Sequence, residues 1–462
     1  MGVEKNIIAI ELGSSSIRGI VGQRKSDGSL QVLGYEKEST PDCVRKGVIY
    51  NIDKTTQAIA NIVKRIEDRQ KVYVNKAYVG VSGQSLRAIR NCVTRQLDVK
   101  VAISEDIVES LKDINRAQPY PEAQILDVAP QEYRVGSHLT TEPVGIMADR
   151  IEGYFMNVIA RKTLYDNIQR CMQGAKLEVV ETFISPLLLA NYLLSTSEKS
   201  TGCALVDFGA DTTTVSVYEK NILRHLVVIP LGGNNITADI ANSQHVEFEE
   251  AEMLKRQHGS AFTEEDDLNT AKLIDISNDR KIAEKTLFNI IEARQQEILE
   301  NVWQQIRNYS DRLLSGVFFT GGGANMRELE KAFTQYTHFE KVKTRQMPSA
   351  TEFTTNLKLD YQTNTLATLV AMLRRGDQEC TSEKPVEPDL FPSAERNDGP
   401  TQPAASPAGQ GVVGRNESKT PESEGETGTK EPEDIKEPKG PSKLSKFLQK
   451  LKQVTEGLVE EK

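Results

Sequence analysis

Residues 9–22 read AIELGSSSIRGIVG, and residues 205–218 read LVDFGADTTTVSVY. Each stretch is an apolar run that meets an acid, breaks at a glycine into a hydroxyl-rich tip, and resumes as a second apolar run. That is the pattern of two strands joined by a tight turn. Singly, either one reads as a plain hairpin. Together they show one strand–turn–strand unit used twice in the chain, which predicts a duplicated α/β architecture. At the tips, Gly13 and Gly209 let backbone approach a phosphate. Ser14, Ser15 and Ser16 on the first, and Asp211, Thr212 and Thr213 on the second, supply N–H and side-chain groups around it. Glu11 and Asp207 precede the two glycines. Mg2+ takes few carboxylates plus water and phosphate oxygens, so this pair suits a metal held between two tips that clamp a polyphosphate.

A third stretch, GVFFTGGGANMRELEKAF (316–333), reads as strand, glycine triplet and helix. Gly321, Gly322 and Gly323 allow a flat or anionic ligand to approach at the start of that helix. Between these landmarks strands and helices alternate. Ile17–Gln23 and Leu30–Glu36 follow the first turn as strands. Asp53 opens a helix with Ile59, Ile62, Val63 and Ile66 on one face, and KAYVGVSG (76–83) returns as a strand.

At 462 residues the chain exceeds one ordinary domain. Its hydrophobic share of 38% and charged share of 27% fit a globular protein with non-globular sequence attached. A net charge of −9 gives no global attraction to nucleic acid. The five cysteines, Cys43, Cys92, Cys171, Cys203 and Cys380, are scattered without a CxxC pair, as reduced packing thiols are. The first residues offer no basic region followed by an apolar stretch, so a secretion signal is not expected. The longest apolar run, Phe183–Leu194, is too short and too interrupted to cross a bilayer, so the expectation is a protein that starts out soluble and cytoplasmic.

After Gly376 the composition turns to Pro, Glu, Ser, Thr, Gly and Lys, with almost no large apolar residues. This predicts a disordered linker over 376–440. Residues 441–462, PSKLSKFLQKLKQVTEGLVEEK, become periodic again. Leu444, Phe447, Leu448, Leu451, Val454 and Leu458 share one helical side, flanked by Lys443, Lys446, Lys450 and Lys452. A helix hung from a disordered tether has to cover its apolar face with something outside the body. Anionic lipids suit both stripe and lysines, whereas a partner helix or coiled-coil dimer would use the near-heptad spacing.

In order, IELGSSSIR, VDFGADTTT and FFTGGGANM resemble the two phosphate motifs and the adenosine motif of the actin/hexokinase/heat-shock-chaperone ATPase superfamily. ISPLLLANYLL (184–194) and LATLVAMLRRG (366–376) look like its two connecting helices. VVIPLGGNNITADIA (227–241), EEAEMLKRQHGS (249–260), YVGVSGQSLRAIRN (78–91) and IIEARQQEILE (290–300) narrow the likeness to the FtsA family of bacterial cell-division proteins. Glu11 stands where that family usually has Asp, Ser16 where it often has Lys with Arg18 two residues on, and Ala371 where it usually has Gly.

The resemblance implies an α/β fold of two actin-like domains with an extra subdomain. Its expected parts are a first domain over 1–83 and 163–200, the extra subdomain over 84–162, and a second domain over 201–375. The linker and the membrane-targeting amphipathic helix follow. It brings Ala210, Gly232, Gly233 and Met326 to an ATP site with Mg2+, and sets Glu252 and Lys255 on the ribose and adenine; an ordinary solvated i,i+3 ion pair is the other reading of those two. It further implies self-polymerisation, tethering of FtsZ to the cytoplasmic face of the inner membrane at the septum, and contact with later division proteins. Arg294 is the residue expected to meet FtsZ, and a surface ion pair with Glu292 or Glu297 is its alternative. Any ATPase activity is expected to be slow, and no catalytic base is identified: Gln84 and Gln131 are candidates to position a water, but nothing in the sequence places them. The competing functions are a sugar or carboxylate kinase of the same fold and a PilM-like pilus-assembly protein.

Overall fold

A computed structural model describes residues 4–39, 43–264, 272–276, 280–347, 353–357 and 364–382. The membrane-helix residues Leu444, Phe447, Leu448, Leu451, Val454, Lys443, Lys446 and Lys450 lie outside the described residues, as does most of the linker.

The chain begins with three strands, β1 (Lys5–Leu12), β2 (Ser16–Arg24) and β3 (Leu30–Ser39), paired antiparallel in sequence order. A minimal hairpin follows, β4 (Val44–Arg45) with β5 (Val48–Ile49). Helix α1 (Ile52–Gln70) starts where the Asn51 side chain accepts the Lys54 N–H and stops where Lys71 turns left-handed. Its start is therefore one residue before the Asp53 read from sequence. Ala58, Ile59, Ile62, Val63 and Ile66 form its buried face. After β6 (Tyr73–Val74), β7 (Lys76–Val81) lies parallel to β1.

An insertion then leaves this sheet: β8 (Arg87–Ala102), α2 (Glu105–Arg116), β9 (Ala123–Val135), β10 (His138–Thr140) and β11 (Met147–Arg161). It has its own small core, with Val93, Leu111, Tyr133, Ile151 and Phe155 buried together. The chain returns through α3 (Lys162–Gly174), β12 (Glu178–Ile184), α4 (Ser185–Leu193) and α5 (Thr196–Thr201). β12 pairs with β7.

The second half repeats the first. β13 (Cys203–Phe208), β14 (Thr213–Glu219) and β15 (Ile222–Ile229) form an antiparallel trio. Next come α6 (Gly233–Gln244), α7 (Phe248–His258), the pair β16 (Leu273–Ile276) and β17 (Arg280–Ala283), and the long α8 (Glu284–Ile306). β18 (Gly316–Thr320) pairs parallel to β13, and after α9 (Leu329–Thr337), β19 (Val342–Thr344) pairs parallel to β18. The order β12-β7-β1-β2-β3 thus has its counterpart in β19-β18-β13-β14-β15. The two sheets have separate buried cores, one around Ile8, Ile20, Tyr78 and Leu369, the other around Val206, Ile236, Ile291 and Phe319.

β20 (Phe353–Thr355) borders β3, and α10 (Ala367–Arg375) follows, buried along Ala367–Leu373 and packed against α4. Both segments expected as connecting helices are therefore helical and adjacent. The insertion reaches the second sheet as well. Arg87 of β8 pairs with Val227 of β15, and the Arg224 guanidinium bonds both Glu132 carboxylate oxygens at 3.3 and 3.4 Å.

Composition assigned residues 376–382 to the linker, yet they belong to the folded body. Cys380 is fully buried, its N–H donates to Asn6, and β21 (Thr381–Ser382) pairs with β6. The Glu379 side chain accepts the Asn6 N–H, and Tyr78 Oη accepts from both Asp377 and Gln378. These polar residues have no apolar periodicity to read, because hydrogen bonds hold them. Among the described residues no helix is long and apolar enough to cross a membrane.

Candidate functional site

The two hairpins close the same way. Gly13 N–H donates to the Ser16 carbonyl at 3.1 Å, and Gly209 N–H donates to the Thr212 carbonyl at 2.8 Å. A Cβ at either glycine would sit 2.8 Å from that carbonyl oxygen, so both turns require glycine at the same place. The tips are less uniform than their composition suggests. Ser15 is exposed, Ser14 Oγ accepts the Gly47 N–H at 2.9 Å, and Ser16 is buried as the first residue of β2. Thr213 is also buried, with its hydroxyl donating to the Leu231 carbonyl at 2.9 Å. Ser14 and Ser15 on one tip and Thr212 on the other keep access.

Below the tips three charges meet. Glu11 faces its cross-strand partner Arg18 at 3.2 Å, both side chains about one-seventh exposed, and Arg18 also donates to the Thr365 carbonyl at the entry to α10. Asp207 is recessed on β13. Burial first, and the Glu11 charge second, push its carboxyl up to about 6, while Arg18 opposes the shift. Glu11 Oε2 is buried with the Arg18 ion pair as its contact, and Arg18 Nε is buried with no hydrogen-bond partner. Two acids that repel each other at the base of the hairpins, one of them held against Arg18, are the residue types a divalent cation takes.

The second tip is stapled to the start of α6. Gly233 N–H donates to the Gly209 carbonyl at 3.0 Å and Asn234 N–H to the Ala210 carbonyl at 2.7 Å. Gly232 lies against the same tip, where a Cβ would meet the Ala210 carbonyl at 2.6 Å. Glu252 and Lys255 stand behind this junction. Lys255 Nζ donates to the Gly233 carbonyl at 3.0 Å, Thr237 Oγ1 at 2.7 Å and Glu252 Oε2 at 2.5 Å. Its side chain is only 10% exposed, and burial lowers its pKa against the opposing pull of Glu252. The pair is therefore a brace on the α6 N-terminus rather than a solvated surface pair.

In the third stretch Gly321 has φ +87°, and a Cβ there would run into Asp207 Oδ1 and the Phe208 carbonyl. Gly322 is different: its nearest neighbour is Thr365 Cγ2 at 3.6 Å. The triplet does not open an α-helix. Gly322–Asn325 form one short 3-10 turn, Met326 packs on the second core, and α9 starts only at Leu329. Replacing Gly321 by Ala combines a left-handed φ with a clash, and is expected to destabilise the chain by about 2–4 kcal/mol. Gly322→Ala is expected to cost under about 1 kcal/mol. Chemical denaturation of both variants checks this, and equal midpoints would refute it.

Sequence reading missed the turn between β4 and β5. Lys46 (φ +50°) and Gly47 (φ +71°) are both left-handed, as a two-residue hairpin requires. Lys46 N–H donates to Asp211 Oδ2 and Gly47 N–H to Ser14 Oγ, each at 2.9 Å. Exposed Gln84 donates its N–H to the Lys46 carbonyl at 2.9 Å. One turn thus touches both tips. The available signal was RKG between two short apolar runs, weaker than the Asn-Gly or Asp-Gly that marks such turns. Arg294 lies apart from the site, on α8, with its guanidinium on Asp239 of α6 (2.6 Å to Nε) and on Glu297.

Two matching sheets, each presenting a glycine-turned hairpin to the other, with two packed connecting helices, define an actin-like protein. The comparisons agree. Residues 204–371 match the family profile described as cell division protein FtsA, and residues 9–267 match that of type IV pilus assembly protein PilM. FtsA of Bacillus subtilis (strain 168) is 31% identical over 326 residues, which cover 69% of this chain and 74% of that protein. FtsA of Porphyromonas gingivalis is 28% identical, covering 69% and 68%. Among solved structures, the PilM–PilN type IV pilus biogenesis complex superposes with a TM-score of 0.58 at 15% identity, over 80% of this chain and 98% of that one. The chain belongs to the FtsA family, and is a cell-division protein of actin-like fold.

Proposed function

We propose that the chain binds ATP with Mg2+ between its two hairpins and uses the bound state to set a polymer-competent form. On this reading the polymer tethers FtsZ to the cytoplasmic face of the inner membrane at the septum. The observation that carries it is the facing pair of hairpins, with Glu11 and Asp207 below their tips. Ser14, Ser15 and Thr212 would address the phosphates. Glu11 and Asp207 would hold Mg2+, which supplies charge neutralisation for the polyphosphate. Gly321 and Gly322 would let the adenosine end approach. Glu252 and Lys255 would fix the α6 junction behind it.

Closure of two bodies around a ligand is an established kind of switch, and α4 against α10 is the contact about which such closure would turn. Residues 441–462 supply the lipid contact, with copies in a polymer adding avidity to a single reversible helix. Arg294 and its neighbours on α8 are the surface proposed for FtsZ. A pilus-assembly role is the second reading, favoured by the PilM match over residues 9–267.

Calorimetry of the full chain tests the nucleotide step. One ATP is expected to bind with Mg2+, and the affinity is expected to fall at least a hundredfold in EDTA. No heat with either nucleotide or metal would overturn it. Co-pelleting with FtsZ filaments separates the division role from the pilus role.

A further inference from the structure

Asp211 stands at the tip of the second hairpin, where a nucleotide bound between the hairpins would bring a phosphate. Each oxygen of its carboxylate accepts one hydrogen bond, from a backbone or an amide donor. Oδ2 accepts the Lys46 N–H at 2.9 Å, and Oδ1 accepts from Asn234 Nδ2 at 2.7 Å. Lys46 lies in the β4–β5 turn that follows the first three strands and Asp211 on the hairpin of the second sheet, so this hydrogen bond ties the first repeat of the fold to the second. The same turn makes a second contact, from Gly47 N–H to Ser14 Oγ on the other tip. The Lys46 carbonyl is tied down in turn by Gln84 N–H, and Gly47 packs against Gly83 so closely that a Cβ would lie 2.6 Å from its Cα. The turn is thus rigidly seated, with two neighbouring N–H groups aimed at the two tips. The two N–H groups diverge, that of Lys46 to the Asp211 carboxylate and that of Gly47 to the Ser14 hydroxyl.

We propose that Asp211 is a built-in anion that holds the Lys46 N–H, latching the β4–β5 turn to the second hairpin and opposing the terminal phosphate of a nucleotide. The proposal deepens the nucleotide reading and rests on it. A polyphosphate held between the tips has to pass the turn that touches both. There it meets a fixed negative charge on one side, and a donor, the Lys46 N–H, that is already taken. Like charges at such separation in a protein environment repel appreciably, and the repulsion grows with the charge of the phosphate end. A nucleotide with one more phosphate reaches further and bears more charge, so the latch acts against ATP more than against ADP. An asparagine at 211 keeps an acceptor for Lys46 while removing the charge. A glycine removes both.

The test is calorimetric titration of the full chain with ATP and with ADP, each with Mg2+, for wild type, Asp211→Asn and Asp211→Gly. Both variants are expected to bind ATP at least fivefold more tightly than wild type, Asp211→Gly most, with a smaller gain for ADP. Hydrogen exchange supplies a second readout that needs no ligand: the Lys46 amide is expected to be protected in wild type and to exchange at least tenfold faster in Asp211→Gly. ATP affinity that is unchanged or weaker in the variants, while wild type binds, overturns the latch and leaves the nucleotide reading standing. A Lys46 amide equally protected in wild type and Asp211→Gly overturns it too. If wild type and both variants bind neither nucleotide, the nucleotide reading falls and the latch with it.

Discussion

Asp207→Asn is expected to abolish metal-dependent nucleotide binding and, in the same molecule, to stabilise the ligand-free protein. The two effects share one cause. Asp207 is recessed beside Glu11, and its carboxyl is pushed from an ordinary 3.8 up to about 6, first by burial and then by that neighbour. A carboxyl raised in the folded state contributes its full stability only while protonated in both states, below about 4. That contribution is lost as pH rises from about 4 to about 6, and above 6 the folded chain carries an ionised acid it would sooner protonate. The cost is about 3 kcal/mol at neutral pH. Asparagine keeps the shape without the charge, so denaturation in EDTA is expected to show the variant more stable than wild type at pH 7.5 and nearly equal to it near pH 4. Mg-ATP affinity is expected to fall at least a hundredfold, because the proposed metal site would lose one of its two carboxylates. A variant less stable at pH 7.5, or one that still binds Mg-ATP like wild type, would show that Asp207 is not a metal-holding carboxylate.

Changing Phe447 and Leu451 together to Glu is expected to weaken binding of the full chain to phosphatidylglycerol vesicles at least a hundredfold. Burial of each apolar side chain contributes roughly 1.5–3 kcal/mol, and the introduced charges resist entry into the acyl region. The lysines act through a different force. Lys446→Gln with Lys450→Gln is expected to weaken binding to anionic vesicles roughly thirtyfold, at about 1 kcal/mol per lysine, and to leave neutral vesicles unaffected. Raising the salt concentration should reproduce the lysine result and not the glutamate result, since screening touches only the headgroup attraction. Sedimentation with vesicles of both compositions decides the matter. Undiminished pelleting of the Phe447/Leu451 double variant would show that this face meets a protein partner and not lipid.

Much of the fold was legible because its signals are local. Gly13 and Gly209 had to be glycines for steric reasons confined to four-residue turns, and the structure closes both turns with the same hydrogen bond. Ile59, Ile62, Val63 and Ile66 marked the buried face of α1 by spacing alone. The site was legible as a set of residue types, but not as an arrangement. Ser16 and Thr213 looked as available as Ser14 and Thr212, yet each is the first residue of a strand and turns inward. Glu252 and Lys255 had the spacing of a surface ion pair. Only the packing of α7 behind α6 buries the lysine and gives it the Gly233 carbonyl.

The sequence by itself determined the strands on either side of the two tips, that Gly13 and Gly209 must be glycine, and that the unit is duplicated. It also determined that residues 441–462 carry an apolar stripe flanked by lysines. Each of these follows from neighbours a few residues apart, whose side-chain periodicity or steric limits are independent of the rest of the chain. The tertiary structure alone decided that Lys46 reaches Asp211, that Arg18 reaches Thr365, that Glu132 of the insertion pairs with Arg224, and that residues 377–382 fold back onto the first strand. Those contacts join residues far apart in the chain. Their partners are set by how sheets and helices stack, and a hydrogen bond between two ordinary polar groups leaves no periodic trace in the sequence of either.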